Sequence, residues 1–181
     1  MISKFSNSPN LTVFFKHFLP ILFIMLVGCD YSQPESNATL VNLETENNYV
    51  SDVDNLRQTG FLEINQGSIA ATWLALKAKP EDSTYLPEEN EVAQYETHIV
   101  FLSKKLIEDR RMVANRTVQI RDKLANENIH ESLLNLLEGL SDVAREGVKG
   151  TYSDYCQWYL ILRQNKLSHE AAIKEMKLMK S

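Results

Sequence analysis

Two short segments carry residue types that bind zinc in many proteases. The segments 130–134 (His-Glu-Ser-Leu-Leu) and 169–173 (His-Glu-Ala-Ala-Ile) begin like the H-E-x-x-H pattern, but neither has its second histidine. Without that histidine a helix cannot present two nitrogens to one ion. The chain also contains no G-x-S-x-G, P-loop or G-x-G-x-x-G pattern. The sequence therefore predicts no metal site, no cofactor and no enzymatic activity.

Cys29 stands at the end of a segment typical of an export signal. A region with Lys4 and Lys16 and no acidic residue is followed by an unbroken apolar run over 18–27. This run is shorter than the ~20 residues that a helix needs to cross a bilayer core. The pattern indicates a signal peptide in preference to a membrane-spanning anchor.

The tetrapeptide Leu26-Val27-Gly28-Cys29 resembles the lipobox of bacterial lipoproteins. The resemblance covers about the first thirty residues. It implies cleavage between Gly28 and Cys29 and acylation of Cys29, whose acyl chains together give a stable membrane anchor. In these lipoproteins an aspartate directly after the cysteine resembles a signal for retention in the inner membrane. Asp30 therefore favours the inner membrane, with the outer membrane as the alternative.

Three parts of the chain follow from this assignment. Residues 1–28 form the cleaved signal peptide, residues 29–48 a lipidated N-terminus and flexible tether, and residues 49–181 a helical domain. After cleavage the chain has 17 basic and 24 acidic side chains, a net charge of −7. This charge argues against nucleic acid as a partner, because phosphates require a cationic surface.

Apolar residues recur at helical spacing along most of the chain beyond residue 50. The spacing predicts helices over 51–64, 69–79, 129–145 and about 151–165, and a last helix that begins after Ser168. No proline follows Pro87, and the apolar spacing continues, which predicts one long helix over 88–126. Short connections between amphipathic helices favour an all-α fold, a small antiparallel bundle of about five or six helices with this long helix at its centre.

The helix predicted over 151–165 carries a broad aromatic face formed by Tyr152, Tyr155, Trp158 and Tyr159. Such faces anchor protein interfaces, and they also fill cores. Burial in the core is the favoured interpretation of the four residues, because a small bundle needs such side chains, and partner contact is the alternative. Cys156 beside them is favoured as a small buried hydrophobe, with an exposed thiol that links two copies or a partner as the alternative.

A membrane anchor, a tether and an acidic helical body favour a non-catalytic lipoprotein of the cell envelope. It would face the periplasm and bind another envelope protein, as an assembly or exclusion factor does. The alternative is a sensor that binds a small ligand between helices, with His98, Arg110 or Arg116 turned into a pocket. An envelope hydrolase with convergent carboxylates is a third, less favoured function. The sequence does not identify the partner or the oligomeric state.

Overall fold

The computed structural model describes residues 52–179, and seven α-helices lie in this part. They are α1 over 52–58, α2 over Ala70–Ala78, α3 over Glu89–Lys105, α4 over Arg110–Ala125, α5 over Leu133–Arg145, α6 over Tyr152–Gln164 and α7 over His169–Leu178. A short 3₁₀ turn over Gly67–Ile69 leads into α2. No strand occurs between residues 52 and 179. The predicted all-α class is confirmed.

The helices pack as a bundle around one apolar core. Helix α3 lies against α2, α4 and α5, while α4 also contacts α2, α5 and α6, and α7 packs on α5 and α6. Fully buried side chains come from six of the helices: Trp73, Leu76, Ile99, Leu102, Val113, Leu124, Leu136, Leu140, Tyr152, Tyr155, Tyr159 and Met176. Burial of these side chains supplies the main driving force for folding.

Capping side chains fix where several helices begin. Thr151 and Asp154 form a reciprocal capping box at the start of α6, and the Ser168 hydroxyl accepts from the backbone N–H of Ala171 in α7. Both caps lie where the sequence predicted them. Helix α5 begins four residues later than predicted, because its N-cap is Ser132.

The predicted long helix over 88–126 is wrong, because the chain breaks between Lys105 and Arg110. Leu106 adopts an extended backbone with φ −113° and ψ 179°, and Asp109 caps α4 by accepting from the backbone N–H of Met112. Glu108, inside the break, accepts from the backbone N–H groups of Tyr152 and Ser153 at 2.9 Å each. A tertiary contact with the start of α6 thus accompanies the break.

The predicted helix over 51–64 is also shorter than expected. Its described part ends at residue 58, and residues 59–66 are irregular. The buried side chain of Asn115 on α4 accepts from the backbone N–H of Leu62 at 2.9 Å and donates to the Leu62 carbonyl at 3.0 Å. This amide satisfies both backbone groups of a buried residue outside any helix, which a buried loop requires.

Several predictions concern residues outside the described range. They are the signal peptide over 1–28, the cleavage site at Gly28 and Cys29, the lipidation of Cys29, the sorting role of Asp30 and the tether over 29–48. Within residues 52–179, no helix has both the length and the apolar character needed to cross a membrane.

Candidate functional site

The aromatic residues of α6 lie mainly inside the protein. Tyr152, Tyr155 and Tyr159 are fully buried, and Trp158 is half-buried against the Tyr155 ring, with 5.8 Å between the ring centroids. The three tyrosines therefore form part of the core and present no surface to a partner. This placement agrees with the favoured interpretation of core packing.

The hydroxyls of these three α6 tyrosines all have partners within the domain. The Thr117 hydroxyl donates to the carbonyl of Val113, so the Tyr152 hydroxyl donates to Thr117, at 2.7 Å. The Tyr155 hydroxyl donates to the carbonyl of Val148 at 2.5 Å. Burial raises the pKa of both tyrosines above the ordinary value. These hydroxyls are fixed structural donors.

Cys156 is buried, as the favoured interpretation of its sequence context predicted. Burial raises the pKa of its thiol to about 12. The thiolate is the nucleophilic form of cysteine, and little of it exists at neutral pH with such a pKa. Cys156 is therefore an unreactive thiol in the folded protein.

A polar groove lies between α4 and α6, and we call it the cation groove. It has a volume of about 230 Å³ and is lined by Arg116, Gln119, Ile120, Lys123, Ser153, Cys156, Gln157 and Leu160. Arg116 and Lys123 are its charged residues, and both are cations. Ile120, Cys156 and Leu160 are buried and form its apolar part.

A second depression, the apolar groove, lies at the N-terminal end of the described residues. It has a volume of about 510 Å³ and is lined by Asp52, Val53, Asn55, Leu56, Thr59, Gln66, Ile69 and Thr72. The loop over 59–66 supplies two of these residues. The same loop exposes two large apolar side chains, Phe61 at 50% and Ile64 at 78% of their surface.

This loop is held in place by specific hydrogen bonds. Asn115 binds both backbone groups of Leu62, and the indole N–H of Trp73 donates to the carbonyl of Thr59 at 3.0 Å. Because Leu62 is fixed in the core, its neighbour Phe61 remains half-exposed, and Ile64 lies further out. The exposure of these two side chains is therefore built into the fold.

A buried ionic cluster joins the loop before α5 to α6 and α7; we call it the Glu131 cluster. The Tyr159 hydroxyl lies 3.1 Å from Glu131 Oε2 and 2.8 Å from His169 Nδ1. The same Oε2 is 3.4 Å from His169 Nδ1 and 3.5 Å from Arg163 Nη2. Burial and the Glu131 carboxylate raise the pKa of Tyr159. The cluster connects three separate segments of the chain.

The sequence pattern did not predict this cluster. Glu131 and His169 belong to the two segments that fail as zinc motifs, and the fold brings one residue of each together. No group of three or more metal-ligating side chains suited to an ion occurs within residues 52–179. The arrangement contains a carboxylate, an imidazole and a phenol, but no serine or cysteine nucleophile belongs to it. The geometry suits a structural crosslink between segments.

The three residues suggested for a ligand pocket lie in different places. His98 Nδ1 is 3.1 Å from the hydroxyl of Ser141, and Arg110 forms an ion pair with Glu96. Burial lowers the pKa of His98 below its ordinary value, although the nearby Glu138 opposes this shift. Arg116 lines the cation groove. The structure thus does not bring these residues into one site.

The chain matches one protein family over most of the described residues. Residues 71–180 match the model of the MoxZ family, and since this is more than half of the chain, the protein belongs to that family. The match includes every residue of the cation groove but only Thr72 of the apolar groove. Among curated protein sequences and solved structures, none matches this chain.

Proposed function

We propose that this member of the MoxZ family is a membrane-anchored lipoprotein that faces the periplasm and binds another protein of the cell envelope without catalysing a reaction. Lipid on Cys29 holds the chain at the membrane, and Asp30 favours the inner one. The helical domain acts as an assembly or exclusion factor. The apolar groove is its docking surface.

The observation that carries the proposal is the pair of exposed apolar side chains on the loop that also supplies Thr59 and Gln66 to this groove. Phe61 and Ile64 expose 50% and 78% of their surface on a loop whose backbone is pinned by Asn115 and Trp73. Exposed large apolar side chains are typical of protein interaction sites when they form a patch. A pinned loop also loses little conformational freedom on binding, which favours affinity.

The position of the groove suits a partner in or near the membrane. Asp52 and Val53 line it, and Asp52 follows Cys29 by only 23 positions in the sequence. A surface so close in sequence to the lipid attachment site stays near the bilayer. We therefore expect the partner to be a membrane protein or another lipoprotein of the same membrane.

Site-specific photocrosslinking in cells tests the docking surface. A photoreactive amino acid at position 61 or 64 should give a discrete crosslinked product. The same amino acid at position 107 should give none, although Ile107 is 88% exposed. Ile64→Glu should weaken the crosslink from position 61 at least about tenfold, as expected for an interface anchor. Equal crosslinking from positions 64 and 107 would contradict the assignment.

The anchor needs a separate test. The Cys29→Ala variant should incorporate no labelled fatty acid and should remain as an unprocessed or mislocalised precursor. Continued lipid labelling of this variant would overturn the lipoprotein assignment. Membrane fractionation of an Asp30→Ser variant then tests sorting, with a shift to the outer membrane as the expected result.

A sensor of a small ligand is the second candidate function, and one observation favours it. The cation groove is lined by polar side chains from two facing helices, among them Arg116. Ligand sites in helical bundles are built in this way, from side chains on facing helices. If the protein is a sensor, changing the concentration of the ligand in growth medium should alter crosslinking from position 61. An unchanged crosslink at all concentrations would argue against sensing.

A further inference from the structure

Arg116 differs from the other arginines of the described part in having no carboxylate within ion-pair distance. Seven arginines lie between residues 52 and 179, and six of them have a carboxylate oxygen within 4.0 Å. Arg116 instead donates from Nη1 to Gln119 Oε1 at 2.8 Å. Its buried Nε has no hydrogen-bond acceptor, as is also true of the Nε atoms of four ion-paired arginines, so the missing ion pair is what sets Arg116 apart. Among the residues that the structure describes, this guanidinium therefore has no counterion.

A second cation lies on the same side of α4. Lys123 follows Arg116 by seven positions, about two helical turns, and also lines the cation groove. No carboxylate of the described residues lies within ion-pair distance of Lys123, and the eight lining residues include no Asp or Glu. Like charges placed on one groove repel each other, and an anion between them would relieve this repulsion.

One acidic group that acts on Cys156 of this groove is already occupied. Glu108 lies in the break before α4, and its two carboxylate oxygens accept from the backbone N–H groups of Tyr152 and Ser153 at the start of α6, at 2.9 Å each. Burial would raise the pKa of Glu108, but these hydrogen bonds outweigh it and hold the pKa below the ordinary value. The Glu108 carboxylate therefore binds the first two backbone N–H groups of α6, and it forms no ion pair with Arg116.

The remaining lining residues suit a small organic ligand. The side-chain amides of Gln119 and Gln157 can donate hydrogen bonds, while Ile120 and Leu160 offer an apolar surface. A volume of about 230 Å³ holds roughly eight water molecules, taking about 30 Å³ for each. The groove therefore has donors in excess, and room for a ligand of modest size.

We propose that the cation groove binds a small organic anion. Carboxylate or phosphate oxygens accept hydrogen bonds from Arg116 and Lys123, and the carbon skeleton lies against Ile120 and Leu160. The buried thiol of Cys156 takes no covalent part. This inference names the ligand class for the second candidate function and rests on that candidate only for its biological meaning.

Isothermal titration calorimetry on the mature full-length protein in detergent tests the site. Inorganic phosphate and succinate are the two probes, and they distinguish a phosphate ligand from a carboxylate ligand. The matched variants are Arg116→Gln and Arg111→Gln, which remove the same charge from the same helix. Arg111 lies 3.7 Å from Asp109 and does not line the groove. Lys123→Gln, at an exposed position, is the second test variant.

We expect saturable binding of at least one probe. Arg116→Gln should weaken it at least about tenfold, since a hydrogen bond to a charged group is lost, and Arg111→Gln should leave it unchanged. Lys123→Gln should weaken it in the same direction. Because Arg116 has no ion pair, Arg116→Gln should unfold at the same temperature as the wild type.

Two outcomes overturn the proposal. One is the absence of saturable binding of either probe up to about 10 mM, a limit well above a millimolar dissociation constant. The other is equal binding by the wild type, Arg116→Gln and Lys123→Gln. Binding that depends on Arg116, without any change of crosslinking from position 61 in cells, would support the site and contradict the sensor function. The two failures are thus distinguishable.

Discussion

Replacing Glu131 with glutamine should destabilise the domain by about 2–3 kcal/mol. The Glu131 side chain is 7% exposed and that of Arg163 is 11% exposed. Glutamine has the same size and still accepts from the Tyr159 hydroxyl, so the substitution removes mainly the charge. It leaves the Arg163 guanidinium buried without its counterion.

The magnitude follows from the burial and the distance of this pair. Removing one partner of a buried ion pair costs about 3–5 kcal/mol. Here the N–O distance is 3.5 Å, longer than the ~2.7–2.9 Å of a strong charge-assisted hydrogen bond, so the lower part of the range or slightly less applies. For a domain of this size the loss corresponds to a fall of roughly 5–10 °C in the unfolding temperature.

Urea and thermal denaturation measure this change, and the chain offers a matched control. Glu138→Gln is the same substitution, also beside a histidine, but the Glu138 side chain is 53% exposed and lies 3.9 Å from His98 Nε2. We expect a loss below about 1 kcal/mol there, because exposed pairs contribute little. A double variant with Arg163→Gln should lose less than the sum of the two single losses.

Unfolding of Glu131→Gln and Glu138→Gln at the same urea concentration, with an unchanged dependence of the unfolding free energy on urea, would refute the contribution assigned to this ion pair. Such a result would mean that water reaches the Glu131 cluster and solvates Arg163 in place of the lost carboxylate. An increase in stability on Glu131→Gln would show that the cost of burying the carboxylate exceeds its attraction to Arg163 and His169.

Three further predictions concern packing, acid stability and thiol reactivity. A Cβ at Gly139 would lie 2.7 Å from Cδ1 of Ile173, so Gly139→Ala should lose about 1–2 kcal/mol in urea denaturation after the gain in helix propensity; full additivity with Ile173→Ala would contradict the clash. The folded pKa of His98 is lowered mainly by burial, so the unfolded state binds more protons, and stability is lost as the pH falls below about 6.5. His98→Gln should reduce this loss of stability at acid pH. The same dependence of the unfolding free energy on pH in the variant and the wild type would contradict the role of His98. Since burial raises the pKa of Cys156 to about 12, maleimide should label the native protein at pH 8 at least about 100-fold more slowly than the urea-unfolded protein, and rapid native labelling would disprove burial of the thiol.

The positions of most helices could be predicted because local signals determine them. Apolar periodicity marks the buried faces, and the hydroxyls of Thr151 and Ser168 cap α6 and α7 where expected. The break over 106–109 contains no proline or glycine that would have indicated it. Its signal was Asp109, a good N-cap residue inside an otherwise continuous pattern.

The grooves and the Glu131 cluster depend on distant parts of the chain. Glu131 and His169 are 38 positions apart, and each looked like an isolated surface residue in its own segment. Arg116 is distinctive only because the partners of the other six arginines are known. Four of those six pairs join residues one to three positions apart, but the pairs Arg110–Glu96 and Arg163–Glu131 form between segments whose packing is not encoded locally.

The orientation of α4 links both candidate surfaces. Three consecutive residues of this helix face three different parts of the protein: Asn115 binds Leu62, Arg116 lines the cation groove and Thr117 accepts from Tyr152. A helix turns about 100° at each residue, so this division is possible only at one rotation about the helix axis. Because the break before Asp109 frees α4 from the direction of α3, it allows that rotation. A continuous helix over 88–126 would force α4 to continue the axis of α3, and the same three residues could then no longer reach the loop over 59–66, the groove and α6 together.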